Sequence, residues 1–479
     1  MGLINTIKRW FGMVFGNKAR EEFDVQSITS GDMQNFLSKC SDIYHGRPDW
    51  VDVYKDIKTV NFAKFICSET AKLSTLGMKV TIEGDSQRVK AIQKQIDDAK
   101  KNIRQWVEYA GAYGTVILKP NGKSVDCILP NRYLITEERN GNIYGVVFFF
   151  QEVSADKKTY WTRLEYHRFI ADKVCAITNR CFEGKTENDL HELVDIKNTP
   201  WNGMLEDVAI KNIEQPLFGV LKMPSANSID IDSPLAMPIF AEAIEELKDL
   251  DIAYSRNAKE IKDSSRIVLL DADRLIPAKG NNLNPKVWAQ KIGEMGLPNY
   301  VRNVLGDGAN SIYEEINPQL NTEMRIKGIN ALLSQIGFKC GFSNGYFVFN
   351  ESTGFTTATQ VTADQARTIQ LIKDIRHNID SALIDLIKAI NVFEDLYGTS
   401  GHLDITDTTE TNELDRIIHV HFDPIYANAE EDRQRALQLT NSGYYPKWYY
   451  LHMFEGLSED DAKALTEEAQ PKQTGLFDE

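Results

Sequence analysis

His419 and His421, two residues apart in "RIIHVHFDP", have the spacing of a metal site. On a strand, residues i and i+2 share a face, so both imidazoles could reach one ion, with Asp423 as an acidic third ligand. That set would suit metal-assisted hydrolysis and opens the reading of an intracellular metal-dependent nuclease or another multidomain enzyme. The simpler account is a structural pair on a strand. Asp49 in "PDW", with Glu183 and Lys185 in "EGK", supplies a carboxylate–carboxylate–lysine order. The gap is far longer than such nucleases use, and Asp49 lies outside any strand pattern.

Other motifs carry less. "GDGANS", residues 306–311, lacks the lysine and the following helix of a phosphate-binding loop and reads as a turn. The aromatic run "YYPKWYYLHMF" could stack bases, but at helical spacing it fits core or subunit contact. GxSxG, GxxxxGK[ST], HExxH and GxGxxG do not occur. The sequence therefore points to no catalytic residue, no cofactor and no metal.

Composition narrows the classes further. With 479 residues, the chain exceeds one ordinary core, and its 42% apolar and 26% charged residues are those of a folded protein. A net charge of -15 argues against tight grip on phosphate but allows a surface that DNA slides past. Six scattered cysteines, Cys40, Cys67, Cys127, Cys175, Cys181 and Cys340, without CxxC spacing, suggest neither a zinc ribbon nor a disulfide framework. At the N-terminus, Ile4, Ile7, Phe11 and Val14 recur at helical spacing beside Lys8 and Arg9. The segment is too short to span a bilayer, so a helix docked on protein is expected over a peripheral membrane helix, and the chain is expected to be soluble.

These residues sit in an α+β framework. Helices are expected over 58–76 and 86–110, with Gly111 and Gly114 breaking the second. Residues 110–230 then read as an antiparallel β platform, with turns at Asn121-Gly122 and Asn140-Gly141. A helix of about eight turns, roughly 40 Å, is expected over 234–264. A small insert follows, with strand "RIVLL", a short helix near Val287–Met295 and "YVRNVLGDGANSIYEEINP". A second helix over 321–339, a polar loop over 341–357 and a long helix over 358–397 complete this part. The C-terminal region holds one strand and two helices, with Asn441-Ser-Gly443 closing the first and Ser458 capping the second.

This order of elements resembles the portal proteins of tailed bacteriophages, over nearly the whole chain. "GFTTATQVTADQARTIQLIKDI", "YEEINPQLNTEMRIKGINALLSQIGFKCG", "VHFDPIYANAEEDRQRALQLTNSG", "GLSEDDAKAL" and "WVDVYKDIKTVNFAKFICSETAKL" are each similar to segments of portals from long-tailed phages of Gram-positive hosts. The basic character expected at the start of the body is weak here.

The resemblance implies an α+β portal fold: N-terminal amphipathic helix 1–20, wing 21–233, first stem helix 234–264, clip 265–320, second stem helix 321–340, tunnel loop 341–357, long wing helix 358–397 and crown 398–479. It implies a ring of about twelve copies at a capsid vertex of the virion, synthesised in the host cytoplasm, through which double-stranded DNA is packaged and ejected. Its implied partners are the terminase large subunit, a head-completion adaptor, the major capsid and scaffolding proteins, and no membrane. Ser343, Asn344, Tyr346, Asn350, Glu351, Ser352 and Thr353 would face the DNA channel, with Thr356 and Thr357 capping the following helix. Twelve copies would carry about -180, and an acidic wall repels phosphate instead of trapping it.

Overall fold

The computed structural model describes residues 14–53, 56–84, 86–156, 158–190, 192–263, 267–271, 301–304, 313–316, 321–348, 365–397, 418–423, 429–454, 457 and 459–468. They form two compact units. The larger runs to Phe422, and the second includes Asp423–Glu479.

The larger unit is built on a six-stranded antiparallel sheet: β4 (Tyr133–Arg139), β5 (Asn142–Val153), β6 (Tyr160–Ala171), β7 (Val174–Gly184) and β8 (Glu192–Val194) in order, with β9 (Asp207–Lys211) also pairing with β7. Asn140 and Gly141 both hold positive φ, 52° and 76°, as a two-residue hairpin with right-handed strand twist requires. Alternation along β5 sends Val147 and Phe149 to one face and Val146 and Phe148 to the other. The first face is covered by helix α1 (residues 14–23), whose Phe15 and Ala19 are fully buried. That part of the N-terminal helix thus docks on protein, as expected; residues 1–13 lie outside the described set.

The other face meets a three-stranded sheet, in which β2 (Thr115–Pro120) lies between β3 (Val125–Ile128) and β10 (Gly219–Lys222). Before it come α2 (Gly31–Tyr44), α3 (Asp49–Val53), α4 (Phe62–Ser74), β1 (Lys79–Ile82) and α5 (Gln87–Tyr113). Gly111 stays inside α5. The break comes at Gly114, whose φ of 76° ends the helix where an added Cβ would lie 1.9 Å from the Ala236 carbonyl oxygen.

The first helix of the expected stem begins later than the sequence predicts. α6 spans Ile244–Asp263, about 30 Å, instead of starting at 234. Pro238 disfavours helical geometry in the residue before it. Tertiary hydrogen bonds then hold the segment: Ala236 N–H donates to Thr115 Oγ1 at 2.9 Å and Ile239 N–H to the Gly111 carbonyl at 2.9 Å. Leu235, Met237 and Phe240 are buried. Past α6, β11 (Ile267–Asp271) pairs in parallel with β12 (Val301–Val304) and antiparallel with β13 (Tyr313–Ile316), and α7 (Thr322–Lys339) returns beside α6. The short helix expected at 287–295 and the 306–311 turn lie outside the described residues.

Helix α8 (Ala366–Tyr397) is the spine of this unit. Ile372, Ile375, Ile379, Leu383, Leu386 and Ile390 are buried, as the 3.6-residue period predicts, against α4, α5, β2 and β10. Arg376 donates to the carbonyls of Leu73 and Ser74, which the end of α4 leaves without helical partners. The strand expected after α8 is β14 (Ile418–His421), and it pairs antiparallel with β1; residues 398–417 lie outside the described residues.

The second unit contains α9 (Ala429–Asn441), α10 (Lys447–Phe454) and α11 (Glu459–Glu468). The expected cap at the end of α9 is present: Gly443 takes φ 80°, its N–H donates to Thr440 and that of Tyr444 to Leu439. Ser458 lies outside the described residues. α10 has no buried residue, and Tyr444 beside it is 79% exposed, so within the protomer this aromatic run is no core. It packs laterally instead: Tyr450 stacks on Phe454 and takes a 2.7 Å hydrogen bond from Arg433, while Lys463 lies over Trp448.

Candidate channel segment and stem

The segment predicted to line a channel leaves α7 through a defined stop. Gly341 takes φ +87°, its N–H donates to Phe338 and the Phe342 N–H to Gly337. This pair of bonds satisfies carbonyls that the helix end would leave open, in the geometry that favours glycine. Arg367, at the start of α8, donates to the Phe338 carbonyl at 2.8 Å, with its guanidinium 3.8 Å from the centre of the Phe338 ring.

Ser343 follows, and it is buried. Its N–H donates to Thr368 Oγ1 at 2.8 Å, the Thr368 N–H donates back to Ser343 Oγ at 3.2 Å, and the two hydroxyls lie 3.1 Å apart. Thr368 stands in the first turn of α8, where backbone N–H groups have no helical acceptor, so Ser343 caps the helix from 25 residues away. Tyr346 donates its hydroxyl to Glu69 Oε1 of α4 at 2.9 Å. Its ring packs against Phe342 and Phe347, and Phe347 meets Phe62 and half-exposed Phe65 edge-on. Asn344 bonds to Ser334 on α7.

Of the residues expected to face DNA, Ser343 and Tyr346 therefore form the packed root of the segment, and Asn344 lies beside α7. In the protomer, Ser343 is an anchor and not an open wall. Asn350, Glu351, Ser352, Thr353, Thr356 and Thr357 lie outside the described residues, and the described part of the following helix begins at Ala366. Thr368, Arg367 and Glu69 carry no sequence signal of their own, because each meets a partner far away in sequence.

Helices α6 and α7, the stem pair of the expected layout, form a two-helix clamp. Lys339 Nζ lies 2.5 Å from Glu246 Oε1, which also accepts from Gln335, at one end. At the other, Glu260 pairs with Arg325 and accepts from the Asn321 N–H. The clamps are separated by 14 residues on either helix, about 21 Å. Between them Asp251 joins α6 to the preceding body, accepting from Trp50 Nε1 at 2.9 Å and Val60 N–H at 2.8 Å. Burial raises the Asp251 pKa, against these hydrogen bonds. Outward, Tyr254, Ile261, Met324 and Phe338 stay exposed.

A second ionic group lies inside the platform. Arg163, Glu165 and His167 alternate along β6 and so share a face, and β2 brings Lys119 across to them. Glu165 is 2.8 Å from Lys119 Nζ, 2.8 Å from Arg163 and 2.6 Å from His167 Nε2, all four side chains being at most 5% exposed. Burial pushes Glu165 towards its neutral form, but Lys119, Arg163 and the His167 hydrogen bond outweigh that and hold it well below the usual carboxylate range. Burial lowers the His167 pKa, and Glu165 offsets this only in part. A neutral His167 donating through Nε2 fits an ionised Glu165, which can only accept.

The alternative metal set is not assembled. His419 lies opposite Thr81 in the β1–β14 pair, and its Nε2 is 2.9 Å from Glu83 Oε1. Among the described residues, no three His, Cys, Asp or Glu side chains are placed to hold a metal ion. Asp49 starts α3 and Glu183 lies on β7. Among the described residues the six thiols are unpaired, and burial pushes those of Cys40, Cys127, Cys175 and Cys340 up to about 12. Cys40, Cys67, Cys175, Cys181 and Cys340 are buried among core side chains. No described helix is long and apolar enough to cross a membrane.

No curated protein matches the chain significantly. Among solved structures, a chain of the "Virion of native gene transfer agent (GTA) particle" is 12% identical, with 90% of this chain and 94% of that chain covered and a TM-score of 0.40. The family described as "Phage portal protein, SPP1 Gp6-like" matches residues 55–475, from α4 through the stem and spine to beyond α11. The chain belongs to this phage portal family.

Proposed function

We propose that the chain assembles into a closed ring of about twelve copies at one vertex of a phage capsid, a component of the virion through which double-stranded DNA enters and leaves. One observation supports this most directly. The stem is an antiparallel helix pair fastened at both ends, leading into a three-stranded tip, and it leaves Tyr254, Ile261 and Met324 facing outward. Large exposed apolar side chains on fixed helices are satisfied by a neighbouring copy. In this reading the tip is the clip, which meets the packaging terminase and then the head-completion adaptor, and the body faces capsid and scaffolding proteins. The protein supplies passage and contact, with no catalysis of its own. The likeness of its segments to portals of long-tailed phages of Gram-positive hosts belongs to the same proposal.

Mass photometry and negative-stain imaging test it. A ring of about twelve subunits with an axial hole is expected. A stable monomer that cleaves DNA when given a divalent metal would sink the reading and revive His419, His421 and Asp423. Replacing residues 344–353 with a Gly/Ser linker is expected to leave ring assembly intact and to impair DNA packaging or retention.

A further inference from the structure

We infer that the stem and the base of the candidate channel segment are energetically coupled through residues 58–62 and α4, with Asp251 and Ser255 as the positioning residues. The inference rests on reading that segment as part of the channel.

Helix α6 leaves the body at these two side chains. Ile244, Leu247 and Leu250 are buried in the core that α4 shares, Asp251 and Ser255 follow at 4% and 8% exposure, and past Ser255 no described α6 residue is buried. One helical turn apart, the pair holds a stretch of backbone as the edge of a strand would. Val60 N–H donates to Asp251 Oδ1 and Lys58 N–H to Ser255 Oγ, both at 2.8 Å, and the Ser255 hydroxyl donates back to the Lys58 carbonyl at 3.2 Å. Asp251 Oδ2 takes the Trp50 indole N–H as well.

The held backbone runs directly into α4. Asn61, its N-cap, has a left-handed φ of 53° and makes no side-chain cap bond, while its own N–H donates to Thr59 Oγ1 at 2.9 Å. A non-glycine residue in that region persists only where its surroundings fix it. Two residues past Val60, the Phe62 ring meets Phe347 edge-on at 5.3 Å, and Phe65 on the next turn meets it at 5.9 Å. Glu69, one turn further, accepts from Tyr346. One side of α4 thus carries the base of the candidate channel segment, and the stem fixes where α4 begins. A shift of α6 at Asp251 therefore moves the surface on which Phe347 packs. By reciprocity, displacing Phe347 weakens the hold of Asp251 and Ser255 on 58–60.

Hydrogen exchange read by mass spectrometry follows both ends in the full-length protein, on peptides covering 58–61 and 345–348. Ser255→Ala is expected to accelerate the 58–61 amides up to about tenfold, as loss of one buried hydrogen bond predicts, and the 345–348 amides about threefold. Ser255→Thr, which keeps the hydroxyl, should stay near the parent at both ends. Phe347→Leu should accelerate 345–348 and also 58–61, the latter about threefold, and in the double variant the two effects should fall short of their product. Strands β5 and β6 pack in other clusters and should be unchanged throughout. An effect confined to the altered end overturns the inference, as do effects that simply multiply, or an acceleration that reaches β5 and β6 as general loosening. If Ser255→Ala fails to fold, Phe347→Leu decides by its effect at 58–61. Failure of the channel reading appears separately, as full DNA packaging after the 344–353 replacement.

Discussion

The platform and the stem place their charges in opposite settings. In the platform, Lys119, Arg163, Glu165 and His167 are sealed between two sheets, and one carboxylate serves three partners. In the stem, Glu246–Lys339 and Glu260–Arg325 are partly exposed, on helices that bury Leu247, Leu250, Leu333 and Ile336 and leave Tyr254, Ile261 and Met324 exposed. A buried ion that loses its partner has no water to turn to, while an exposed one does. The platform's charges are thus satisfied within the chain, whereas the stem pair leaves Tyr254, Ile261 and Met324 exposed.

Removing the shared carboxylate should give the largest effect. Glu165→Gln leaves Lys119 and Arg163 buried without a counter-charge, and a loss of roughly 3–5 kcal/mol is expected in the unfolding of the larger unit. Urea denaturation followed by tryptophan fluorescence measures it. A loss below about 1 kcal/mol would mean that water reaches the cluster and that the contrast with the stem is only one of degree.

Acid comes next. The folded-state pKa values of both Glu165 and His167 lie below their unfolded values, so the unfolded chain binds more protons over the intervening range. Stability from His167 starts to fall as pH drops below about 6.5, and that from Glu165 as it drops below about 4.5. Lys119 and Arg163, which face both groups, oppose protonation of His167. Each proton in deficit contributes about 1.4 kcal/mol per pH unit. A melting temperature flat from pH 7 to 4 would contradict this burial.

How legible these two regions were in the sequence follows from where their partners lie. The Asn140-Gly141 hairpin and the helix at 321–339 depend on neighbours in sequence, and both were read within a residue or so. "RLEYH" shows the alternation that puts Arg163, Glu165 and His167 on one face, but alternation alone would send that polar face to solvent. β2 covers it instead, and Lys119 lies 46 residues away from Glu165. The strand 418–421 was visible as a strand; its pairing with β1 was not, because nothing local specifies so distant a partner. At 234–243 the helical period was real, but bonds to Gly111 and Thr115 and the restriction before Pro238 outweighed it. The candidate channel residues were found as a segment. The bonds between Ser343 and Thr368 were not legible, because the two lie 25 residues apart.

The stem's own titrating group should move the other way from the platform's. The Asp251 pKa is raised, so the folded stem favours the protonated form, and stability is lost as pH rises through that folded value. Asp251→Asn keeps an acceptor for Trp50 or Val60 and abolishes the titration. A loss of about 1 kcal/mol at neutral pH is expected, with the pH slope above about 4 made shallower. Differential scanning calorimetry at several pH values checks both. An unchanged slope would assign the titration to other carboxylates.

The smallest effect belongs to the stem clamp and separates the regions most cleanly. Glu246→Gln with Lys339→Met, as single and double variants, should give a coupling energy of about 0.3–1 kcal/mol, weakened by added salt. Glu246 is mostly covered, at 13% side-chain exposure, while Lys339 is more open at 35%, so one partner remains free to reach water when the other is lost. If assembled rings give a larger, salt-insensitive coupling than dissociated subunits, a neighbouring copy covers the clamp and the stem acquires the platform's sealed character on assembly. Equal coupling in the two states would leave Glu246–Lys339 a solvent-facing contact within one chain, and would locate the subunit interface at the exposed Tyr254 and Met324 instead.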